Sequence, residues 1–319
     1  MSESRDPTLN WGFLGASRIG RGALAPAVMA AGHRLGAVAA RDLGRAKEFA
    51  ADLGFERAYG DYQALIDDPA VEAVYIALPN DLHLPWTLAA LAAGKHVLCE
   101  KPLALTEAEV ARMQVAERAS GKLVMEAFCH RFHPQFDRAR SLLQQGAIGD
   151  LLCAQTHFVG GIADPGNFRW QASLGGGALY DLGCYGVSML RSLLGAEPLS
   201  VRATKTNHGD VDSRFTATLD FPGGVTAQVF CSFDGARQQG MQLIGSTGSL
   251  TFDWPFSTKN RETTLTWSGG VARLAPCDPY VAMVQHFAAS VAGQETLRFG
   301  LADSRAQAQM LDQLFAAAG

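Results

Sequence analysis

No two of the six cysteines (Cys99, Cys129, Cys153, Cys184, Cys231 and Cys277) stand at the CxxC spacing of a zinc site or a redox dithiol. Their scatter fits reduced cytosolic thiols and argues against a disulfide framework or a metal centre. An excess of basic charge is also missing: 27 Lys and Arg against 31 Asp and Glu leave a formal net charge of −4. Neither nucleic acid nor an anionic membrane surface is therefore an expected partner. No uninterrupted apolar run is long enough to span a bilayer. Met1 to Pro7 is polar and mixed in charge, without the apolar stretch of a signal peptide, so a cytoplasmic location is expected. What the chain does have is length, since 319 residues suffice for two ordinary domains with separate cores.

The first 125 residues alternate short apolar runs with helical patterns. Trp11–Leu14 reads as a strand, followed by the turn Gly15-Ala16-Ser17-Arg18-Ile19-Gly20 and an Ala-rich helix. This resembles the dinucleotide fingerprint, in which a phosphate rests on backbone N–H groups at a helix N-terminus. Gly15 and Gly20 keep the outer positions, while Ser17 replaces the middle glycine. The next strand, Leu35 to Ala40, ends where an NAD site carries a carboxylate, about 20 residues past the glycines. Here Ala40 and Arg41 take that place. A guanidinium suits a 2′-phosphate, so NADP is favoured over NAD. The alternative has Asp42 reaching the ribose, with Arg41 in solvent. Ala73–Leu78 reads as a buried parallel strand ending in the polar loop Pro79-Asn80-Asp81-Leu82-His83. A helix to Ala93 leads into His96–Cys99 and then Glu100-Lys101-Pro102. Thr106 with Glu109 forms a capping box for the next helix. The whole predicts a doubly wound parallel sheet over residues 1–125, with its strand ends on one edge.

From Glu126 the pattern changes. A helix is expected to about Gln145, a strand at Leu151–Val159, and a mostly apolar helix from Ala178 to Leu194. Alternating runs at 199–206, 213–221, 225–233, 241–245 and 249–253 predict an antiparallel sheet, with two closing helices near 279–291 and 302–316. Residues 126–319 thus read as an α+β domain.

Three polar residues invite one chemistry. Hydride transfer from an alcohol carbon needs a group to take the hydroxyl proton. A tyrosine phenol titrates near ~10 in isolation, and a neighbouring lysine cation favours its ionised form. Lys101 and Tyr185 supply those groups, and Asp181, four residues before Tyr185, could orient a hydroxyl. The plainer alternatives are a solvated Lys101 paired with Glu100, a helix-capping Asp181 and a core Tyr185.

Taken together, Gly15–Gly20, Pro79–His83, Gly94–Pro102 (GKHVLCEKP) and Gly175–Tyr185 (GGGALYDLGCY) resemble the Gfo/Idh/MocA oxidoreductase family over nearly the whole chain. The nearer likeness is to its NADP-linked branch of D-xylose dehydrogenases, dimeric dihydrodiol dehydrogenases and glucose–fructose oxidoreductases. The resemblance implies an N-terminal Rossmann domain and a C-terminal α+β domain with a large open, mostly antiparallel sheet. Such sheets usually pair subunits into homo-oligomers, a dimer or a dimer of dimers. It also implies NAD(P)-dependent oxidation or reduction of a sugar, polyol or diol. Lys101 maps onto the family's catalytic lysine, and Asp181 and Tyr185 onto its acidic residue and proton-exchanging group. Many members carry His where Tyr185 stands. The implied cofactor contacts are Gly15, Ser17, Arg18, Ile19, Gly20, Arg41, Leu78, Pro79, Asn80, His83, Glu100, Lys101, Arg169 and Trp170. Tyr280 joins Asp181 and Tyr185 as a substrate contact. Two rivals share these motifs: an NADP(H) redox sensor without turnover, and a glycosidase-type enzyme using bound NAD for internal redox.

Overall fold

A computed structural model describes residues 8–319, so the reading of Met1–Pro7 lies outside the described residues. The chain forms two compact units: residues up to Ala127 with Tyr280–Arg305, and Phe128–Pro279 with Ala306–Gly319. The chain therefore does not divide once at 125/126. Residues 280–305, expected in the second domain, cluster with the first. Their helix α8 (Pro279–Val291, numbered with the others below) carries Phe287, which meets Trp11 with ring centroids 5.5 Å apart, both fully buried. Burying one such aromatic side chain contributes roughly 2–3 kcal/mol, enough to decide where a short segment packs.

The first unit holds a six-stranded parallel sheet of β1 (Asn10–Leu14), β2 (Arg34–Ala39), β3 (Arg57–Tyr59), β4 (Ala73–Ile76), β5 (His96–Cys99) and β6 (Val124–Glu126). Their spatial order is β3-β2-β1-β4-β5-β6. Every residue of β1 and β4 is buried. A strand apolar on both faces needs helices on both, and parallel crossovers provide them. The strand order reverses between β1 and β4, which opens a crevice at their carboxyl ends. The helices are α1 (Ala25–Ala30), α2 (Leu43–Leu53), α3 (Tyr62–Ile66), α4 (His83–Ala92) and α5 (Glu107–Ser120). Asp42 and Asp61 cap α2 and α3 by accepting Arg45 N (2.6 Å) and Ala64 N (3.1 Å). Thr106 caps α5, and Glu109 reaches back to Leu105 N at 2.8 Å, one residue before the amide a strict capping box uses.

The second unit holds α6 (Pro134–Gln144), α7 (Cys184–Leu194) and eight strands: β7 (Leu151–Val159), β8 (Ser200–His208), β9 (Val211–Asp220), β10 (Thr226–Ser232), β11 (Gln238–Gly245), β12 (Ser249–Phe252), β13 (Arg261–Trp267) and β14 (Gly270–Cys277). Their order is β14-β13-β12-β11-β7-β10-β9-β8. All pairs are antiparallel except β7 with β10. The sheet is thus mostly antiparallel, as expected, with one parallel pair at its centre. The chain leaves β7, forms α7, and returns through the β8–β9 hairpin, which brings β10 alongside β7 in the same direction. The hairpin β13–β14 was not anticipated. The last helix, α9 (Leu301–Ala318), seats Phe315 against Tyr180 and Phe215. Among the described residues no helix is long and apolar enough to cross a membrane.

One consequence of the packing is acid sensitivity. His133 is fully buried, accepts Gln135 N at 3.2 Å, and is pushed down to about 4 by burial. His96 is also pushed to about 4, first by burial and then by the Lys122 charge. A folded value below the unfolded one, near 6.5, means that the unfolded chain binds more protons in between. The stabilisation is complete above pH ~6.5 and is lost as pH falls towards 4, by at most about 3 kcal/mol for His133. Asp212, pushed up to about 6 chiefly by burial, works in the opposite sense as its carboxylate protonates. The two histidines together outweigh it. The denaturant midpoint is expected to fall between pH 7 and pH 4.5, and an unchanged midpoint would contradict this assignment.

Candidate active site

The glycine turn follows β1 directly. Gly15 has φ +102°, and a Cβ there would lie 2.8 Å from the Ala77 carbonyl at the end of β4. Only glycine lets the β1 turn approach β4 so closely, at the crevice where the strand order reverses. Ser17 explains its own departure from the fingerprint: its Oγ accepts the Gly20 N–H at 2.9 Å and so holds the turn closed. Arg18 and Ile19 project to the surface. The following helix opens as a π-turn, Gly20–Leu24, before α1, a feature that the apolar spacing did not foretell.

At the end of β2, Asp42 is occupied as the cap of α2, which weighs against the alternative in which it reaches a ribose. Arg41 is exposed there, and one helical turn on, Arg45 donates through Nη2 to the Ala16 carbonyl at 2.9 Å. Both guanidinium charges bear on the half-buried Tyr62 phenol, which burial pushes above its usual range. Tyr62 in turn meets Trp86 edge-on at 5.2 Å. Arg45 and Tyr62 were not among the expected residues. The spacing of four between Arg41 and Arg45 was the available signal for Arg45.

After β4 and β5 come the two loops that carry Leu78–His83 and Glu100–Pro102. His83 is fully buried, with Nδ1 at 2.8 Å from the Pro102 carbonyl and Nε2 at 3.0 Å from the Leu78 carbonyl. Both ring nitrogens face backbone carbonyls, so His83 stands between the two loops, and the neutral ring donates its one N–H to one of them. Burial lowers its proton affinity, and the Lys101 charge acts in the same direction. Glu100 accepts the Tyr75 hydroxyl at 2.7 Å and the Lys101 N–H at 3.3 Å. Lys101 is half-buried at the carboxyl edge of the sheet, with its bond to Pro102 cis. Leu78 and Asn80 are buried and Pro79 is partly exposed in the same loop.

In the second unit, the Gly175–Tyr185 segment builds a compact polar start to α7. Gly177 has φ +116°, and a Cβ there would lie 2.1 Å from Asp212 Oδ1. Its N–H donates to the Arg169 carbonyl at 3.0 Å, and its carbonyl accepts Asp181 N at 3.1 Å. Asp181 lies in a second π-turn, Leu179–Gly183, and pairs with Arg169 (Nε to Oδ2, 2.8 Å). Tyr185, in the first turn of α7, is surrounded by the rings of Phe128, His130, Phe158 and Phe256, with centroids 5.2–5.8 Å away. No periodic signal in the sequence points to that surround, because its members come from three separate segments of the chain. Trp170 packs on His208 at 4.9 Å and Phe233 at 5.1 Å. Arg169 and Asp181, expected in separate cofactor and substrate roles, are joined. Tyr280, in the first turn of α8, belongs to the first unit.

The first unit's residues fit a nicotinamide dinucleotide. The glycine turn sits at the crevice beside the end of β4, the helix behind it presents its N-terminus, and cations stand at the end of β2 where a carboxylate would repel a phosphate.

Residues 9–128 match the oxidoreductase family with NAD-binding Rossmann fold, and residues 136–251 match the GFO/IDH/MocA C-terminal domain. The chain belongs to the Gfo/Idh/MocA oxidoreductase family. It is similar to D-xylose 1-dehydrogenase (NADP(+)) 2 of Haloferax volcanii, 37% identical over 316 residues and 97% of each chain. The mouse trans-1,2-dihydrobenzene-1,2-diol dehydrogenase is 38% identical over 245 residues, 75% of this chain and 73% of that one. Among solved structures, a 3-ketoreductase from Actinomadura kijaniata in complex with NADP and TDP-benzene superposes with a TM-score of 0.91 at 31% identity, covering 98% of each chain.

Proposed function

We propose that this protein is an NADP-dependent oxidoreductase moving a hydride between nicotinamide and a hydroxyl-bearing carbon of a sugar, polyol or diol. The observation that carries the reading is the start of α7, where Tyr185 sits in its aromatic surround beside an Asp181 held by Arg169. The Haloferax relative named for NADP(+) and the ketoreductase solved with NADP support the choice of cofactor.

When bound, the nicotinamide accepts or supplies the hydride. The protein's own residues handle the proton and the geometry. Tyr185 exchanges the proton of the substrate hydroxyl, and the aromatic rings around it fix the phenol's direction while excluding water. Lys101 supplies a positive charge that favours the ionised phenol and polarises the substrate oxygen. Asp181 accepts a hydrogen bond from a second substrate hydroxyl, with Arg169 fixing the carboxylate's orientation. Gly15, Ser17, Arg18, Ile19 and Gly20 would line the pyrophosphate. Leu78, Pro79, Asn80, Glu100, Arg169 and Trp170 would line the nicotinamide end, and Tyr280 would touch the substrate.

Arg41, supported by Arg45, is assigned to the 2′-phosphate. Arg41→Ala removes charge-assisted hydrogen bonds of about 1.5–3 kcal/mol. It is expected to weaken NADP binding roughly ten- to hundred-fold while leaving NAD binding nearly unchanged. Equal losses for both nucleotides, read by fluorescence titration, would remove Arg41 from the assignment.

The outward face of the eight-stranded sheet carries Gln155 bonded to Gln228 (3.3 Å) and the exposed Phe230. A second copy is assigned to that face. Phe230→Asp is expected to shift a dimer towards monomer in light scattering, and an unchanged mass would move the interface elsewhere.

A further inference from the structure

Asp212 was not singled out by its sequence context, yet it lies beneath the polar start of α7. It is the second residue of β9, only 4% exposed, and its Oδ2 accepts Leu179 N at 2.7 Å. The N–H groups of Ala178 and of Asp212 itself also favour its charged form. Gly177 approaches its Oδ1 so closely that no other residue fits there. From this anchor the contacts form a closed circuit. Asp212 holds Leu179, Asp181 N bonds Gly177, Gly177 bonds the Arg169 carbonyl, and the Arg169 guanidinium returns to Asp181. The far side of the circuit is pinned by Trp170 against His208, the end of β8 opposite the start of β9.

We propose that Asp212 is a positioning residue: its ionised carboxylate, fixed on the sheet, sets the height and rotation of the turn that presents Asp181 and, six residues after Leu179, Tyr185. The proposal rests on the catalytic reading of those two residues. It gives β9 a role in the reaction through a residue that need not touch substrate or cofactor.

Burial pushes the Asp212 carboxyl up to about 6, against the backbone N–H groups and the Lys205 charge. Cys231 on β10 is the titratable neighbour on which the Asp212 charge acts, and Asp181 and Cys184 from the helix start act on the same thiol. Cys231 is itself pushed up by burial and by Asp212, so it stays a neutral thiol while Asp212 titrates. Protonating Asp212 relieves the burial of its charge, which favours the fold as a whole, but weakens its hold on the N–H groups, so the turn itself is held less firmly as pH falls below about 6.

Asp212→Asn removes the charge and replaces one acceptor oxygen with an NH2 group, while its remaining oxygen can still accept Leu179 N. Kcat is expected to fall roughly ten- to hundred-fold, as for a misplacement on the order of 1 Å, with NADPH affinity held within about two-fold. The acid limb near pH 6 of the wild-type kcat/KM profile is expected to disappear in the variant. A purely structural role would leave that limb in place, and a persistent limb or an unchanged kcat overturns the proposal. Should Asp212→Asn fail to fold, Gly177→Ala displaces the same carboxylate from the other side and is expected to lower kcat with NADPH affinity retained. An unchanged kcat in that variant is equally contrary. If the wild-type protein turns over no substrate, the catalytic reading fails by itself. Crystal structures then decide the positioning role: the 2.8 Å Arg169–Asp181 pair is expected in the wild type and lost in Asp212→Asn, and a pair retained in both overturns it.

Discussion

Tyr185→Phe is expected to lower kcat by roughly 10²–10⁴-fold, the range for loss of a positioned acid–base group. The substitution is informative because it changes so little else. Phe keeps the ring, and with it the contacts to Phe128, His130, Phe158 and Phe256. Each such aromatic pair contributes about 0.5–1.5 kcal/mol beyond burial, so the variant should fold and melt close to the wild type. NADPH affinity should also hold, since no cofactor contact is assigned to Tyr185. Stopped-flow and steady-state assays together separate these effects. An unchanged hydride-transfer rate would take the phenol out of the mechanism.

Lys101→Met is expected to cost about 10²–10³-fold in kcat, comparable to losing one strong electrostatic stabiliser of the transition state. Met preserves most of the aliphatic stem, so the loop between β5 and α5 should keep its packing. The surrounding contacts support that expectation. Glu100 is held by the Tyr75 hydroxyl and by the Lys101 backbone N–H, neither of which the substitution removes. His83 continues to join Pro102 to Leu78. The sharper test combines the two changes. If the lysine acts by favouring the ionised tyrosine, Lys101→Met in a Tyr185→Phe background should cost little more, because residues acting as a unit are non-additive. Fully multiplied losses would show two independent roles and contradict the proposed division of labour.

How far the sequence disclosed the protein varies with the physics of each element. The Rossmann strands were legible because burial on both faces leaves continuous apolar runs such as Ala73–Ile76. The Thr106 cap was legible because it is a local hydrogen bond with a local pattern, whereas the caps at Asp42 and Asp61 went unread. The hairpin β13–β14 escaped because it is rich in Arg, Glu and Thr and carries few large apolar residues, of which Leu265 is buried and Val271 exposed. The two π-turns, at Gly20–Leu24 and Leu179–Gly183, carry the same apolar spacing as ordinary helices. The placing of His83 between the Pro102 and Leu78 carbonyls was not legible, because it is set by tertiary packing. The Arg169–Asp181 pair and the anchor at Asp212 depend on contacts between residues 12 and 33 positions apart. No periodicity records contacts of that kind. The glycines did record them indirectly, for Gly177 is required by the very carboxylate that the sequence left unnoticed.

The most direct test of the account is an assay at the reduced-nicotinamide absorbance band, with NADP and separately NAD, across a panel of aldoses, polyols and vicinal diols. The account predicts substrate-dependent formation of NADPH with at least one group of the panel, and a kcat/KM for NADP well above that for NAD. Tight NADP(H) binding without turnover on any substrate would contradict the enzyme reading, and failure to bind either nucleotide would contradict the assignment of the glycine turn as well.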